Sequence, residues 1–103
     1  MSESSELTGP LVAAIRKCGV MCLRMNSGKA KVRGGYLQLH EKGTADILCF
    51  PRGRVVWLET KAVAKDYHKE QQKSQADFRA QVLALGHEHH VIRSLAEGLA
   101  AVR

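Results

Sequence analysis

The sequence contains no apolar run that approaches the roughly 20 residues needed to cross a bilayer as a helix. It also has no signal-peptide pattern. Only three cysteines occur, Cys18, Cys22 and Cys49, and an odd number argues against a disulfide framework. Cys18 and Cys22 alone cannot complete a zinc site, and no second pair follows them. We therefore expect a cytoplasmic chain, with no membrane partner, whose cysteines are reduced residues of the core.

Acidic residues are missing from the whole stretch between Arg16 and His40, which carries six basic ones. The net charge of the chain is +6, with a pI near 9.6. A surface that only keeps a protein soluble usually mixes the two signs, so this imbalance favours a polyanionic partner. Nucleic acid is the leading candidate, because Lys and Arg contacts to phosphates supply its sequence-independent affinity.

Residue periodicity predicts an α/β domain with a mixed sheet. An amphipathic helix is expected over residues 6–18, although Gly9-Pro10 should disturb its start, because proline is comfortable only in a first turn. Strands are predicted at 20–25, 36–39, 45–50, 55–62 and 89–93, and residues 26–35 are predicted to be a mobile basic loop. The element order is αβββ(β)αβα, and 103 residues with 45% hydrophobic content suit one domain over residues 1–103.

Two further helices are indicated in the C-terminal half. The first carries on one face Tyr67, Gln71, Ser74, Phe78, Val82 and Leu85. Gly86 is the expected C-terminal cap of this helix. Ser94 and Glu97 have the spacing of a capping box, which predicts the start of the last helix.

Charged residues interrupt the apolar segment GTADILCFPRGRVVWLETK at positions 43–61. If the strands at 45–50 and 55–62 form a hairpin closed around PRGR, paired residue numbers sum to 105. Asp46 then falls opposite Glu59, and Lys61 shares their face. The remaining residues on both faces are mostly apolar, so the hairpin is predicted to be packed on both sides.

Two carboxylates about 5 Å apart repel each other by about 3 kcal/mol at an effective dielectric constant near 20. A divalent cation would turn this repulsion into coordination, and Mg²⁺ suits the task because it needs only one or two protein carboxylates. Such an ion can generate a nucleophile from water, and Lys61 could orient that water or stabilise charge on a phosphate. The combination indicates phosphodiester hydrolysis, although a Glu-x-Lys pair in a strand is more often a solvated cross-strand pair.

Two other features have simpler interpretations. The segment HEHH at 87–90 suggests a metal cluster, but adjacent strand residues point to opposite faces, so at most half could meet one ion. Trp57 could stack on a base, but inside a hairpin it is more simply a core residue.

The motifs of the chain, taken in order, resemble those of the VRR-NUC nucleases, a branch of the PD-(D/E)XK nuclease superfamily. The likeness runs from Glu6 to about Leu99. It rests on a helix-borne Glu6, the segment Arg24-Met25-Asn26-Ser27-Gly28, Gly43-Thr44-Ala45-Asp46, Glu59-Thr60-Lys61, and Gln75 followed by Phe78. Each motif is weak alone, but the ordered set is specific. Small standalone members of this family look like phage or bacterial proteins.

The resemblance implies a restriction-endonuclease-like core in which helices flank a central mixed sheet. It implies that Asp46 and Glu59 bind Mg²⁺, with Mn²⁺ as a substitute, together with the Thr60 carbonyl oxygen and Glu6. Lys61 and Gln75 complete the implied catalytic set. The DNA-binding residues implied by the resemblance and by the basic stretch are Arg24, Asn26, Lys29, Lys31 and Arg33. No nucleotide cofactor is expected.

A metal-dependent endonuclease that cleaves branched DNA, such as Holliday junctions, as a homodimer is therefore the leading prediction. A chain with one site supplies only one cut, so a symmetric junction favours two-fold pairing. A preference for flaps or for nicking duplex DNA stays open. The alternative from another class is a non-catalytic nucleic-acid-binding module in which the carboxylates only pair with Lys61 and its basic neighbours.

Overall fold

A computed structural model describes residues 3–25, 29–38, 43–61 and 69–103. In this part of the chain the elements are α1 (Glu3–Lys17), β1 (Met21–Arg24), β2 (Lys29–Val32), β3 (Gly35–Gln38), β4 (Ile47–Phe50), β5 (Val56–Thr60), α2 (Lys69–Ala84), β6 (Glu88–Ile92) and α3 (Leu95–Ala101). The predicted α/β class is confirmed. Within the same ranges there is no helix long and apolar enough to cross a membrane.

The central sheet has four strands in the order β1-β4-β5-β6. Its first three strands are antiparallel, whereas β5 and β6 run parallel. A parallel pair needs a crossover connection, which here contains α2. The sheet is therefore mixed, as predicted.

The register of the β4–β5 hairpin is confirmed. Ile47 lies opposite Leu58, and Leu48 lies opposite Trp57, so paired residue numbers sum to 105. The Arg54 N–H closes the intervening turn on the Pro51 carbonyl oxygen at 2.9 Å. Continuing the register by one pair brings Asp46 opposite Glu59, which is the pair on which the predicted site depends.

One face of the sheet is covered by α1 and α3. Leu11 and Ile15 follow each other at a spacing of four on α1, and both are fully buried. Gly98 in α3 lets the two helices approach closely, because a Cβ at this position would lie 2.5 Å from Leu11 Cδ1. The buried hydrophobic cluster consists of Leu11, Val12, Ile15, Cys22, Ile47, Cys49, Val56, Leu58, Ile92 and Val102.

The other face is covered by α2, but only over β5 and β6. Phe78 packs edge-on against Trp57 with ring centroids 5.0 Å apart, so Trp57 is a packing residue, as predicted. Over β1 and β4 no helix of the described part of the chain covers this face, and Met21, Leu23 and Phe50 are among the exposed hydrophobic residues. The prediction that the sheet is packed on both sides is therefore wrong for this half.

Both predicted helix caps occur in the structure. Gly86 has φ +83°, and the N–H groups of Gly86 and His87 donate to the carbonyls of Leu83 and Val82 at 3.0 and 3.1 Å. Ser94 Oγ accepts from the Glu97 N–H at 3.2 Å. The Glu97 side chain accepts from the Arg93 N–H rather than from that of Ser94.

Three expectations about local structure are wrong. The first helix begins at Glu3, so Pro10 lies well inside it. The predicted basic loop forms a hairpin instead, in which β2 pairs with β3 and Lys31 lies opposite Tyr36. Cys18 is exposed, although Cys22 and Cys49 are buried as expected, and all three thiols are free.

Candidate active site

Asp46 and Glu59 come from neighbouring segments of the β4–β5 hairpin. Asp46 occupies a bend immediately before β4, and its carbonyl oxygen accepts the Met25 N–H at 2.7 Å. Glu59 lies in β5 and is only 5% exposed, which is unusual for a carboxylate. The hairpin register therefore brings two carboxyl groups to one end of the sheet, where Glu59 is withdrawn from water.

The Asp46 carboxyl is held by one residue of the neighbouring strand. Its Oδ2 accepts hydrogen bonds from the backbone N–H and from the hydroxyl of Thr60, each at 2.9 Å. Thr60 is 2% exposed, so the two bonds are shielded from solvent on the Thr60 side. Two donors from one buried residue fix the position of this carboxyl oxygen.

Glu59 has one oxygen paired and one unpaired. Oε2 accepts from Gln75 Nε2 at 3.2 Å. Oε1 is buried and has no hydrogen-bond partner among the described residues while Glu59 is ionised. Burial, followed by the charge of Asp46, raises the pKa of Glu59 to about 8, against the opposing effect of the Lys61 ammonium. An unpaired buried carboxyl oxygen next to a second carboxyl is the kind of position that a cation stabilises.

Gln75 connects Glu59 to Lys61. Its Oε1 accepts from Lys61 Nζ at 2.6 Å while its Nε2 donates to Glu59. An ammonium can only donate, so the amide orientation of Gln75 is fixed by its two partners. The Lys61 backbone N–H donates to the Ile92 carbonyl oxygen at 2.9 Å, which extends the β5–β6 ladder past the end of β5. Three side chains from β5, its continuation and α2 thus form one hydrogen-bonded row.

Gly43 determines how closely α2 approaches this row. Its φ is +91°, a conformation that favours glycine. A Cβ at this position would overlap the carbonyl oxygen of Ser74 and lie 2.5 Å from its carbonyl carbon. Because Ser74 directly precedes Gln75, the missing side chain of Gly43 allows α2 to bring Gln75 to Glu59.

The predicted DNA-binding residues lie at two places. The Arg24 guanidinium lies beside α1, with Nη1 3.9 Å from a Cβ built on Gly9. Lys29 and Lys31 are carried by β2, and Arg33 is exposed in the turn that follows. We call these last three residues the basic hairpin. Asn26 lies outside the described residues, as does the side chain of Glu6, whose backbone belongs to α1.

Comparison with solved structures places this geometry in a known fold. A solved VRR_NUC domain matches with a TM-score of 0.57 at 16% sequence identity, over 97% of this chain and 94% of that one. The chain has the fold of a VRR_NUC domain. The Holliday junction resolvase Hjc of the archaeal hyperthermophile Archaeoglobus fulgidus matches with a TM-score of 0.55 at 15% identity, over 87% of this chain and 67% of its own. Sequence comparisons with family models and with curated proteins give no match.

This VRR_NUC fold confirms the predicted nuclease-type architecture. It does not by itself assign roles to the residues at the end of the sheet. Those residues still have the chemistry of a small metal site, because Mg²⁺ binds one or two carboxylates and keeps several waters. Asp46, the unpaired Glu59 Oε1 and the Thr60 carbonyl are the atoms that could hold it. The described residues contain no group of three or more His, Cys, Asp or Glu arranged to bind a metal.

The histidines of HEHH lie away from this end of the VRR_NUC fold. His90 contacts Glu88 at 3.1 Å, and Glu88 is paired with Arg54. His89 is buried against Phe78, and burial lowers its pKa to about 4, with the charges of Arg79 and His90 acting in the same direction. His89 is therefore a packing residue, and His90 belongs to a surface cluster with Glu88 and Arg54.

One residue of the site was missed by sequence reasoning. Thr8, in α1, is 4% exposed, and its Oγ1 lies 2.7 Å from Thr60 Oγ1. The sequence carries a signal for it, because Thr8 stands three and seven residues before Leu11 and Ile15, on the apolar face of the helix. A hydroxyl on such a face needs a buried partner, but the pattern cannot say which one.

Proposed function

We propose that this chain is a divalent-metal-dependent endonuclease that hydrolyses phosphodiester bonds in branched DNA, such as Holliday junctions, as a homodimer. The observation that carries the proposal is the unpaired, buried Oε1 of Glu59 beside the Asp46 carboxyl. In the absence of a cation this arrangement destabilises the ionised form of Glu59. Oε1 takes part in no stabilising contact with the described residues, so it is available as a ligand, and this favours a binding site.

The metal-binding residues in this proposal are Asp46, Glu59 and the carbonyl of Thr60. Mg²⁺ is the expected ion, with Mn²⁺ as a substitute, because both prefer oxygen ligands. When bound, such an ion polarises a phosphodiester oxygen and lowers the pKa of a coordinated water. Glu6, whose backbone belongs to α1, stays a candidate ligand on the strength of the family resemblance alone.

Lys61 acts on the reacting phosphate in this proposal, and Gln75 positions it. The Lys61 ammonium is already held 2.6 Å from Gln75 Oε1, so it is oriented before the substrate arrives. It donates hydrogen bonds to the attacking water or to the phosphate oxygens as negative charge develops there. Gln75 keeps Lys61 and Glu59 at a fixed separation, which preserves the alignment of charge and ligand.

DNA binding is assigned to Arg24, Asn26 and the basic hairpin. Arg24 lies beside α1 near Gly9, next to the helical turn that contacts Thr60. Among the described residues, the strand that carries Lys29 and Lys31 pairs with β3 in a sheet of its own, separate from the central sheet. Contacts from these residues to phosphates would supply affinity without sequence preference.

A homodimer and a branched substrate belong together in this proposal. Two cuts in a symmetric junction need two sites, and two-fold pairing of a small chain provides them. The open half of the sheet face provides a surface for a second copy, since Met21 on the edge strand is 62% exposed and its partner in the register, Phe50, is 38% exposed. The resolvase among the structural neighbours supports branched DNA as the substrate to test first.

The whole of residues 1–103 is proposed to act as one nuclease domain in the cytoplasm of a bacterium or of a phage-infected host. Reduced cysteines and a DNA substrate fit that compartment.

The test compares a labelled four-way junction, a flap and a linear duplex at one salt concentration, with Mg²⁺ and with chelator. We expect Mg²⁺-dependent cleavage of the junction by the wild type and none by Asp46→Asn or Glu59→Gln. Asp77→Asn, which changes an exposed carboxylate on α2, is the matched control and should cleave normally. Junction binding without metal-dependent cleavage would contradict the proposal and favour the binding module.

A further inference from the structure

The buried hydroxyls of Thr8 and Thr60 form a chain that ends on a carboxyl of the candidate site. Thr60 Oγ1 donates to Asp46 Oδ2 at 2.9 Å, and Thr8 Oγ1 lies 2.7 Å from Thr60 Oγ1. A hydroxyl has one proton to donate, and that of Thr60 is used on Asp46. Thr8 must therefore be the donor in its contact with Thr60. The hydrogen bonds are therefore donated in sequence from Thr8 in α1 to Thr60 in β5, and from Thr60 to the Asp46 carboxyl.

The hydrogen-bonded series Thr8–Thr60–Asp46 links three separate segments of the polypeptide at one point. Asp46 precedes β4, Thr60 ends β5, and Thr8 lies in the N-terminal half of α1. Pro10 has no N–H to donate, so the turn of α1 that contains Thr8 lacks one bond of the helical ladder. The Thr8–Thr60 hydrogen bond attaches that turn to the sheet.

We propose that Thr8 and Thr60 are positioning residues that hold the Asp46 carboxyl in the orientation required for metal binding and cleavage. The inference rests on the proposed nuclease function and adds Thr8 to its machinery, together with the hydroxyl of Thr60, whose carbonyl is already a proposed ligand. Both hydrogen bonds from Thr60 are accepted by Oδ2, so the orientation of the Asp46 carboxyl is fixed through this one oxygen. Residues that orient a ligand in this way typically change metal affinity or activity by about 10- to 100-fold when removed.

The first experiment measures Mn²⁺ affinity and single-turnover junction cleavage for Thr60→Val, Thr8→Val and Thr8→Ser. Valine keeps the shape of threonine without the hydroxyl, whereas serine keeps the hydroxyl. We expect Thr60→Val to weaken Mn²⁺ binding by about 10- to 100-fold and Thr8→Val by up to about tenfold. Thr8→Ser should keep the Mn²⁺ affinity and the cleavage rate within about twofold of wild type. The DNA affinity in chelator should be the same for the wild type and all three variants.

A merely structural role gives a different pattern. Thr8→Val would then lower the melting temperature while Mn²⁺ affinity and the cleavage rate stayed at their wild-type values, and the positioning role would be overturned. If the wild type itself binds no Mn²⁺ and cleaves nothing, the proposed function fails instead, so the two failures are distinguishable.

A second measurement needs neither metal nor DNA. The three-bond couplings between Hα and the two Hβ protons of Asp46 report its χ1 rotamer in chelator. We expect one rotamer in the wild type and in Thr8→Ser, and averaged couplings in Thr8→Val and Thr60→Val. Unchanged couplings in both valine variants would show that the hydroxyl chain does not position Asp46.

Discussion

Replacing Glu59 with Gln should stabilise the protein in chelator, and the gain should grow with pH. The pKa of Glu59 is raised from its ordinary value of 4.5 to about 8, so the folded state keeps a proton that the unfolded state loses. Between these two pKa values the folded wild type binds more protons than the unfolded chain, and its stability falls as pH rises. A neutral amide removes this dependence.

The size of the effect follows from the interval between the two pKa values. At pH 7 the wild type has lost about 3 kcal/mol relative to pH 4.5, because each pH unit in this window corresponds to about 1.4 kcal/mol. The amide of the variant can still accept from Gln75 and can donate to Asp46. Since 1 kcal/mol corresponds to about 4–8 °C for a domain of this size, the variant should melt about 10 °C or more above the wild type at pH 7.

Thermal and urea unfolding at pH 5, 6, 7 and 8 in chelator measure this difference. Asp77→Asn on the exposed face of α2 is the control, and its curve should stay parallel to that of the wild type. Mg²⁺ should raise the melting temperature of the wild type and not that of Glu59→Gln. Parallel pH curves for Glu59→Gln and wild type would refute the reasoning, since they would mean that Glu59 is ionised without cost in the folded state.

Three further results are expected. Lys61→Ala should reduce single-turnover cleavage far more than DNA affinity and leave metal affinity nearly unchanged. The control Lys73→Ala, which changes an exposed lysine on α2, should leave all three unchanged. Normal cleavage by Lys61→Ala together with stability lost in chelator would mean that Lys61 is only a counter-ion. Changing all three basic-hairpin residues to Gln should lower the slope of log affinity against log salt by up to about three, and an unchanged slope would remove the hairpin from the interface. Met21→Lys should shift sedimentation from dimer to monomer, since a charge on an apolar two-fold interface meets its own copy; a dimer that persists would place the interface elsewhere.

Local patterns in the sequence were sufficient for the hairpin that carries the site. The turn PRGR and the alternation around it determine the β4–β5 register, and the register brings Asp46 opposite Glu59. The caps at Gly86 and Ser94 are likewise local, because a few consecutive residues supply all of their hydrogen bonds. Features of this kind depend on interactions within a short stretch of chain.

The features that sequence reasoning missed depend on partners that are distant in the chain. Pairing with Gly35–Gln38 turns the polar segment Lys29–Val32 into a strand, although its own composition indicates a loop. Pro10 lies inside α1, just before the fully buried Leu11, despite the rule that proline belongs in a first turn. The contact of Thr8 with Thr60 could be predicted only if one knew which helix covers which end of β5.

The close approach of Gly98 to Leu11 has a consequence for the nascent chain. This contact packs α3 against α1, so the part of the α1 surface around Leu11 that faces Gly98 stays uncovered until α3 has left the ribosome. Lys61 likewise depends on Ile92 for its backbone hydrogen bond. The Lys61 backbone bond and the α1–α3 contact can therefore form only after Ile92 and Gly98 have left the ribosome, and a chain translated only as far as Lys61 holds its two carboxylates and its lysine without them.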